Sequence, residues 1–248
     1  MTPCLVVSGL CKKYGEIVVA DDVSLTLARG ECLGVVGPNG AGKSSLFNMI
    51  TGVATPDAGS IRLDGAELVG LPAQLRARRG VARAFQIPQA FPHLSAYENA
   101  LAAATFAAGL PHREAAEQAR DALVRTGLAG RMNEPAGRLP LLDRKRLELA
   151  KGLAARPHLL MLDEIAGGLT EPEVHALTEL ILTLKAGVAM IWIEHIAQAL
   201  TAVADRIMVL NFGRKLLEDT PAAAMTSAAV REVYMGVAEP HGGGHAAA

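Results

Sequence analysis

The sequence contains few aromatic residues and few cysteines, and it lacks a long uncharged apolar run. Aromatic residues make up 4% of the 248 residues, although hydrophobic residues as a whole make up 50%. The three cysteines show no metal-ligand spacing and are compatible with a reducing cytosol. The longest uncharged apolar run, near residues 100–110, is too short to span a membrane. The N-terminus lacks the charged and apolar regions of a secretion signal.

The charge is also close to balanced, with a formal net value of −1. A chain with so little net charge has no strong electrostatic attraction to nucleic acid or anionic lipid. We therefore expect no nucleic-acid partner, and we expect contact with a membrane only through another protein.

The most informative stretch is Gly37–Ser44, which matches the phosphate-loop pattern G-x-x-x-x-G-K-[ST]. It lies between an apolar run at 32–36, predicted to be a buried strand, and a predicted helix from residue 44. Glycines let backbone N–H groups approach a polyphosphate, and the helix N-terminus adds further donors. We expect Lys43 to bridge the β- and γ-phosphates and the Ser44 hydroxyl to bind Mg²⁺. The predicted phosphate-binding residues are Gly37, Pro38, Asn39, Gly40, Ala41, Gly42, Lys43, Ser44 and Ser45. A chance glycine-rich turn is the alternative, and the flanking strand and helix argue against it.

The order of the predicted elements indicates an α/β protein. Residues 1–36 have β character, whereas residues 88–156 are rich in alanine and leucine at helical spacing. Apolar strands are predicted at 159–162, 189–193 and 207–210, with helices between them. This alternation predicts a parallel sheet with a helical insertion.

A basic cluster precedes the helical insertion and consists of Arg76, Arg78, Arg79 and Arg83. At helical spacing such a cluster is typical of a solvated face, and a docking site is the alternative.

Two predicted strands end in residues suited to phosphate chemistry. The first ends in Asp163 and Glu164, and the strand at 189–193 leads to His195. Asp163 at a strand end can hold Mg²⁺ directly or through water, while Glu164, expected to point the other way, can orient an attacking water. A polar strand end and a surface histidine are the alternatives. After a phosphate loop, the combination favours catalysis, with His195 contacting the γ-phosphate.

Over residues 4–236 the sequence resembles the ATPase subunit of an ABC transporter. Gly37–Ser44 matches the Walker A loop and Leu159–Asp163 the Walker B strand. The other matches are Tyr14 as the adenine-stacking aromatic, Gln86 as the Q-loop glutamine, Glu164 as the catalytic glutamate and His195 as the switch histidine. Tyr14 is predicted to lie in a turn, and packing at a strand end is the alternative role for it.

Within that family the sequence is most similar to importers of branched-chain amino acids and related polar, amide-type substrates. The stretches at 37–48, 91–99 and 234–236 carry this narrower resemblance.

The resemblance implies a P-loop (RecA-like) parallel-sheet core with an N-terminal antiparallel β subdomain and an inserted α-helical subdomain. The ABC ATPase domain would occupy residues 1–238. Its nucleotide-binding core would comprise residues 1–88 and 157–238, and its helical subdomain residues 89–156. Residues 239–248 are expected to form a disordered tail.

The resemblance also implies a mechanism and a set of partners. Two ATPase chains, expected to form a heterodimer, would enclose ATP between them and hydrolyse it with Mg²⁺. Transmembrane permease subunits would dock near residues 86–91 at the cytoplasmic face of the inner membrane, and a solute-binding protein would act indirectly. The implied residues are Lys43, Gln86, Glu164 and His195 for catalysis, and Ser44, Gln86 and Asp163 for Mg²⁺.

The sequence departs from the family pattern in the signature loop. Where most members have Leu-Ser-Gly-Gly-Gln, this chain has Leu139, Pro140, Leu141, Leu142 and Asp143 before a helix predicted to begin near Arg144. Pro140 offers no hydroxyl, and Leu142 places a side chain where glycine allows close approach. A second departure lies in the segment after Glu164, which ends in Thr170 where the family usually has an acid or amide. The alternative to a hydrolysing importer subunit is therefore a nucleotide-gated regulatory subunit with weak hydrolysis.

Overall fold

The computed structural model describes residues 3–227 and residue 230. The motif predicted at 234–236 and the tail predicted at 239–248 lie outside these residues. The strands are β1 (Leu5–Tyr14), β2 (Ile17–Leu27), β3 (Cys32–Val36), β4 (Ala58–Leu63), β5 (Ala66–Glu67), β6 (Val81–Ala84), β7 (Leu159–Asp163), β8 (Ala189–Ile193), β9 (Arg206–Asn211) and β10 (Arg214–Asp219). The helices are α1 (Lys43–Thr51), α2 (Ala73–Arg78), α3 (Ala96–Phe106), α4 (His112–Arg125), α5 (Leu141–Ala154), α6 (Glu171–Leu184), α7 (Ala197–Val203) and α8 (Pro221–Thr226). Within the described part of the chain, none of the helices combines the length and the apolar character needed to cross a bilayer.

Two sheets organise the chain. The larger has six strands in the order β10-β9-β3-β8-β7-β6. Strands β9, β3, β8, β7 and β6 are parallel, and β10 pairs with β9 antiparallel. The smaller sheet is antiparallel, with four strands in the order β2-β1-β4-β5. The predicted α/β fold with a parallel core is confirmed.

The central strands are apolar along their whole length because both faces of the parallel sheet are covered. In β7, Leu159 and Met161 pack with the antiparallel sheet and α1, whereas Leu160 and Leu162 pack with the helices on the opposite face. Strand β8 follows the same alternation, and its Trp192 is fully buried on the helical side.

Helices α3, α4 and α5 pack against one another through small side chains. Their buried alanines recur at helical spacing and are Ala96, Ala100, Ala104, Ala115, Ala119, Ala122, Ala150 and Ala154. Helix α3 begins with a capping box, in which Ser95 and Glu98 bond each other's backbone N–H groups. The alanines that predicted helices in this region are thus the residues through which the three helices pack.

Helix α5 begins at Leu141 rather than near Arg144, so the predicted boundary is wrong by one turn. Pro140 is the N-cap residue, with φ −55° and ψ 162°, and its missing N–H is no loss there because the first N–H groups of a helix have no intrahelical partner. Asp143 lies in the first turn, where a carboxylate is favourable beside the helix N-terminus. Leu141, Leu142 and Asp143 are therefore helical, not part of a loop.

Two further expectations differ from the structure. Tyr14 is the last residue of β1 rather than a turn residue, because β1 and β2 pair along nearly their whole length. The basic cluster is not a common solvated face. Arg76 is 1% exposed and donates to the carbonyls of Met49 and Ile50 at the end of α1.

Candidate active site

The predicted site residues lie at the carboxyl ends of four neighbouring parallel strands. In the sheet order β3-β8-β7-β6, these strands are followed by the phosphate loop, His195, Glu164 and Gln86, respectively. Open parallel sheets bind ligands at this edge. A pocket of about 180 Å³ lies there, lined by Val19, Asn39, Gly40, Ala41, Gly42, Lys43, Ser44, Ser45 and Glu164.

The phosphate loop is wedged between two strands, and this explains two of its glycines. A Cβ on Gly42 would lie 2.3 Å from the Val19 carbonyl oxygen, and φ there is +102°. A Cβ on Gly37 would lie 2.2 Å from the Leu210 carbonyl oxygen. Helix α1 starts directly after Gly42 with no side-chain cap, so its first N–H groups line the pocket. Backbone donors and a helix N-terminus in this arrangement can bind an anion.

Lys43 is held by the loop itself. Its Nζ donates to the carbonyls of Gly37 at 2.7 Å and Pro38 at 3.0 Å, and the residue is only 7% exposed. Burial lowers the pKa of the Lys43 amine, while the charges of Glu164 and Asp163 act in the opposite direction. The Lys43 amine therefore lies close enough to both carboxylates to interact with their charges.

Glu164 contacts two of the other predicted catalytic residues. Its Oε1 lies 2.6 Å from His195 Nε2, and its Oε2 accepts a hydrogen bond from Gln86 Nε2 at 2.7 Å. Three side chains far apart in sequence thus meet beside the phosphate loop.

The sequence suggested that strand alternation sets the direction of the Glu164 side chain, but the structure shows a different cause. Strand β7 ends at Asp163, and Glu164 has a φ of +46°, in the left-handed region. Its N–H donates to the Ile193 carbonyl of β8 at 2.8 Å. This turn places Glu164 toward the loop that follows β8.

Asp163 makes a contact that the sequence analysis missed. Its Oδ2 accepts a hydrogen bond from Arg83 Nη2, on the neighbouring strand β6. The two side chains are 14% and 12% exposed. Arg83 is therefore a largely covered partner of Asp163 and not part of a solvated basic face. Its place on a strand, between apolar neighbours, is the only sequence signal for this role.

Three buried charges that the sequence analysis did not single out as functional support the loops around the site. Glu194 is 2% exposed and accepts hydrogen bonds from the N–H groups of Ala166 and His195. Lys145 on α5 is 2% exposed and donates to the Gln86 carbonyl; its pKa is lowered by burial. Glu148 accepts from the Gln89 N–H at 2.8 Å. Only tertiary contacts distinguish these groups from ordinary surface charges.

Tyr14 is separate from this cluster. It does not line the pocket, its exposed fraction is 52%, and Lys12 Nζ lies 5.1 Å from its ring centroid. The ring is therefore exposed at the end of β1, an inner strand of the antiparallel sheet.

The altered signature segment is engaged within its own chain. Leu139 is buried, and Leu141 Cδ2 lies 3.4 Å from the position of a Cβ on Gly168. Asp143 pairs with Arg131 at 3.1 Å and with Arg146 at 3.2 Å. These contacts occupy the carboxylate that replaces the usual glutamine.

Comparison with known proteins identifies the class to which this fold and site belong. The model of the ABC transporter family matches residues 20–167, and the chain belongs to that family. Its fold is that of MJ1267, an ATP-binding cassette of an ABC transporter solved in its ADP conformation. The TM-score is 0.86 at 24% identity, over 96% of this chain and 100% of that one.

Two curated relatives are similar over almost their whole length. The high-affinity branched-chain amino acid transport ATP-binding protein BraF of Pseudomonas aeruginosa is 37% identical over 95% of this chain and 99% of its own. LivG of Escherichia coli carries the same description and is 36% identical over the same shares.

Proposed function

We propose that this chain is the ATP-hydrolysing subunit of an ABC importer that energises uptake of branched-chain amino acids or related small polar solutes. The contact of Glu164 with both Gln86 and His195, beside the phosphate loop, carries this proposal. The descriptions of the BraF and LivG relatives support the solute class.

The phosphate loop binds the β- and γ-phosphates through backbone N–H groups of Gly40–Ser45 and through Lys43. The Lys43 amine exchanges its two loop carbonyls for phosphate oxygens, which are stronger partners because they are charged. The exposed ring of Tyr14 stacks on the adenine.

The residues around Asp163 fit Mg²⁺, which prefers hard oxygen ligands and keeps several waters. An exposed hydroxyl at the start of α1, a carboxylate at the end of β7 and a side-chain amide oxygen supply such ligands: Ser44, Asp163 and Gln86. When bound, Mg²⁺ neutralises charge on the β- and γ-phosphate oxygens.

Glu164 orients the attacking water and accepts its proton. Each of its oxygens has a second lone pair after bonding Gln86 and His195, so a water can still bind. His195 holds one of these oxygens and contacts the γ-phosphate when ATP is bound.

The transmembrane permease docks in an apolar groove beside Gln86. The groove holds about 290 Å³ and is lined by Thr51, Val53, Ala73, Ala77, Val81, Ala82, Arg83, Phe85, Ala103, Ala107, Glu148, Lys151, Gly152 and Ala155. Apolar side chains in and next to the groove are exposed, at 68% for Val53 in its lining and at 72% and 75% for the neighbouring Ile87 and Phe106. This docking places the chain peripherally at the cytoplasmic face of the inner membrane. A solute-binding protein supplies the solute to the permease.

The second ATPase subunit is a different chain with an ordinary signature. Pro140 and the intrachain pairs of Asp143 leave this chain's signature segment poorly equipped to contact a partner's γ-phosphate. The same observation favours a second candidate function, a nucleotide-gated regulatory subunit whose hydrolysis is weak.

Uptake of labelled leucine tests the proposal in cells that lack this gene and are complemented with wild type, Glu164→Gln or Glu179→Gln. Glu179 is exposed on α6, away from the pocket, and serves as the matched control. We expect wild type and the control to restore uptake and Glu164→Gln to abolish it, because an amide cannot act as a base. Purified Glu164→Gln should still bind ATP.

Two results would contradict the proposal. Full uptake with Glu164→Gln removes Glu164 from the mechanism. No gain of leucine uptake with wild type rejects the branched-chain class while leaving ATP hydrolysis open to direct measurement.

A further inference from the structure

Arg83 contacts the proposed Mg²⁺ ligand Asp163 and is held in a fixed position by α1 and β6. Its Nη2 donates to Asp163 Oδ2, and its Nη1 donates to Asn48 Oδ1 at 2.9 Å. The two ion-paired side chains are 12% and 14% exposed, so salt screens this pair less than a surface pair.

Two aromatic rings confine the guanidinium. Its centre lies 5.5 Å from the Phe47 ring centroid and 4.9 Å from that of Phe85. Arginine stacks well on aromatic faces because its charge is planar and delocalised. Phe47 and Asn48 belong to α1, which starts at the phosphate loop. The guanidinium is therefore fixed relative to that loop, and Asp163 takes its orientation from it.

We propose that Arg83 is a positioning residue that fixes Asp163 for Mg²⁺, an inference that rests on the proposed role of Asp163. Arg83 occupies Oδ2, whereas Oδ1 accepts no hydrogen bond from any residue that the structure describes. Oδ1 is thus the oxygen left for the metal. Carboxylate ligands are commonly held by such outer partners, and losing one typically costs about 10–100-fold in metal affinity.

The test measures metal affinity directly in the purified full chain. Mn²⁺ is titrated into protein that is in excess over ADP, and free Mn²⁺ is counted by electron paramagnetic resonance. We expect Arg83→Gln to raise the Mn²⁺ dissociation constant about tenfold or more. ADP affinity in EDTA should stay within about twofold of wild type, since the phosphate loop is untouched. A merely structural role for Arg83 would weaken both.

Two reference variants separate the outcomes. Asp163→Asn is expected to weaken Mn²⁺ binding. Arg206→Gln, which removes an ion-paired strand arginine whose partners Glu31 and Glu218 lie outside the site, is expected to leave it unchanged.

Unchanged or tighter Mn²⁺ binding in Arg83→Gln, with weakened binding in Asp163→Asn, overturns the positioning role alone. No effect of Asp163→Asn overturns the Mg²⁺ role of Asp163 and, with it, this inference. If Arg83→Gln does not bind ADP in EDTA, Arg83→Lys replaces it. Lysine keeps the charge but not the planar fork, so weakened Mn²⁺ binding supports the inference and wild-type binding overturns it.

Discussion

Restoring the signature segment tests whether this chain needs a different partner. The change is Pro140→Ser, Leu141→Gly and Leu142→Gly together, with Asp143 kept because it pairs with Arg131 and Arg146. We expect the purified chain alone to bind MgATP and hydrolyse it slowly. A single donor aimed at developing negative charge is worth on the order of 10²–10³ in turnover. The triple variant should therefore raise the turnover of the purified chain by about 10²-fold.

The structure also predicts the cost to stability. Two glycines in the first turn of α5 cost about 1 kcal/mol each relative to alanine, and the half-buried leucines lose apolar contacts as well. A serine at the N-cap returns about 1 kcal/mol. Thermal unfolding of the variant checks that it is folded at the assay temperature. The matched control is Pro140→Ala, Leu141→Gly and Leu142→Gly, which differs only by the hydroxyl and should gain less.

The assay compares turnover per chain in the purified protein and in a complex with a second ATPase subunit that has an ordinary signature. We expect the second subunit to raise the turnover of the unaltered chain, since this chain's own site then receives a complete signature from the second subunit, while the second subunit's site receives the altered one. An unaltered chain that works as fast alone as in the mixed complex would refute the idea of two unequal sites. Equal gains in the serine and alanine variants would show that the hydroxyl is not the missing group.

Two further predictions concern nucleotide binding. Tyr14→Ala should weaken ATP binding about tenfold or more, because stacking on a base is worth about 1–3 kcal/mol, whereas Tyr14→Phe should be nearly silent in the same fluorescence titration. Equal losses in the two variants would assign the effect to the hydroxyl. Gly42→Ala should abolish ATP binding, because its Cβ would lie 2.3 Å from the Val19 carbonyl. Gly40→Ala shares the strain of a positive φ, +81°, but has open space around its Cβ and should lose less. Similar losses in both would mean that the close approach to Val19 does not matter.

Much of the fold follows from local patterns. The apolar strands at 159–162 and 189–193 were predicted within one residue, because a strand buried on both faces needs an unbroken apolar run. The phosphate loop was predictable for a similar reason, since its glycines are required by short-range backbone geometry. The predicted start of α5 was wrong because Pro140 stands where the family pattern has a serine, which would have marked the N-cap. The backbone shows that the helix begins directly after Pro140.

The sequence by itself therefore determined the strand order along the chain, the phosphate loop and the acidic and histidine residues at the strand ends. Tertiary structure decided which of them meet. Glu164 contacts residues that are 78 and 31 positions away, and Asp163 contacts Arg83, 80 positions away. Such contacts depend on which strands become neighbours in the sheet, and periodicity along one segment carries no information about that. The burial of Lys145 and the partial burial of Arg83 have the same origin, because a charge is removed from solvent only where a distant part of the chain supplies its partner.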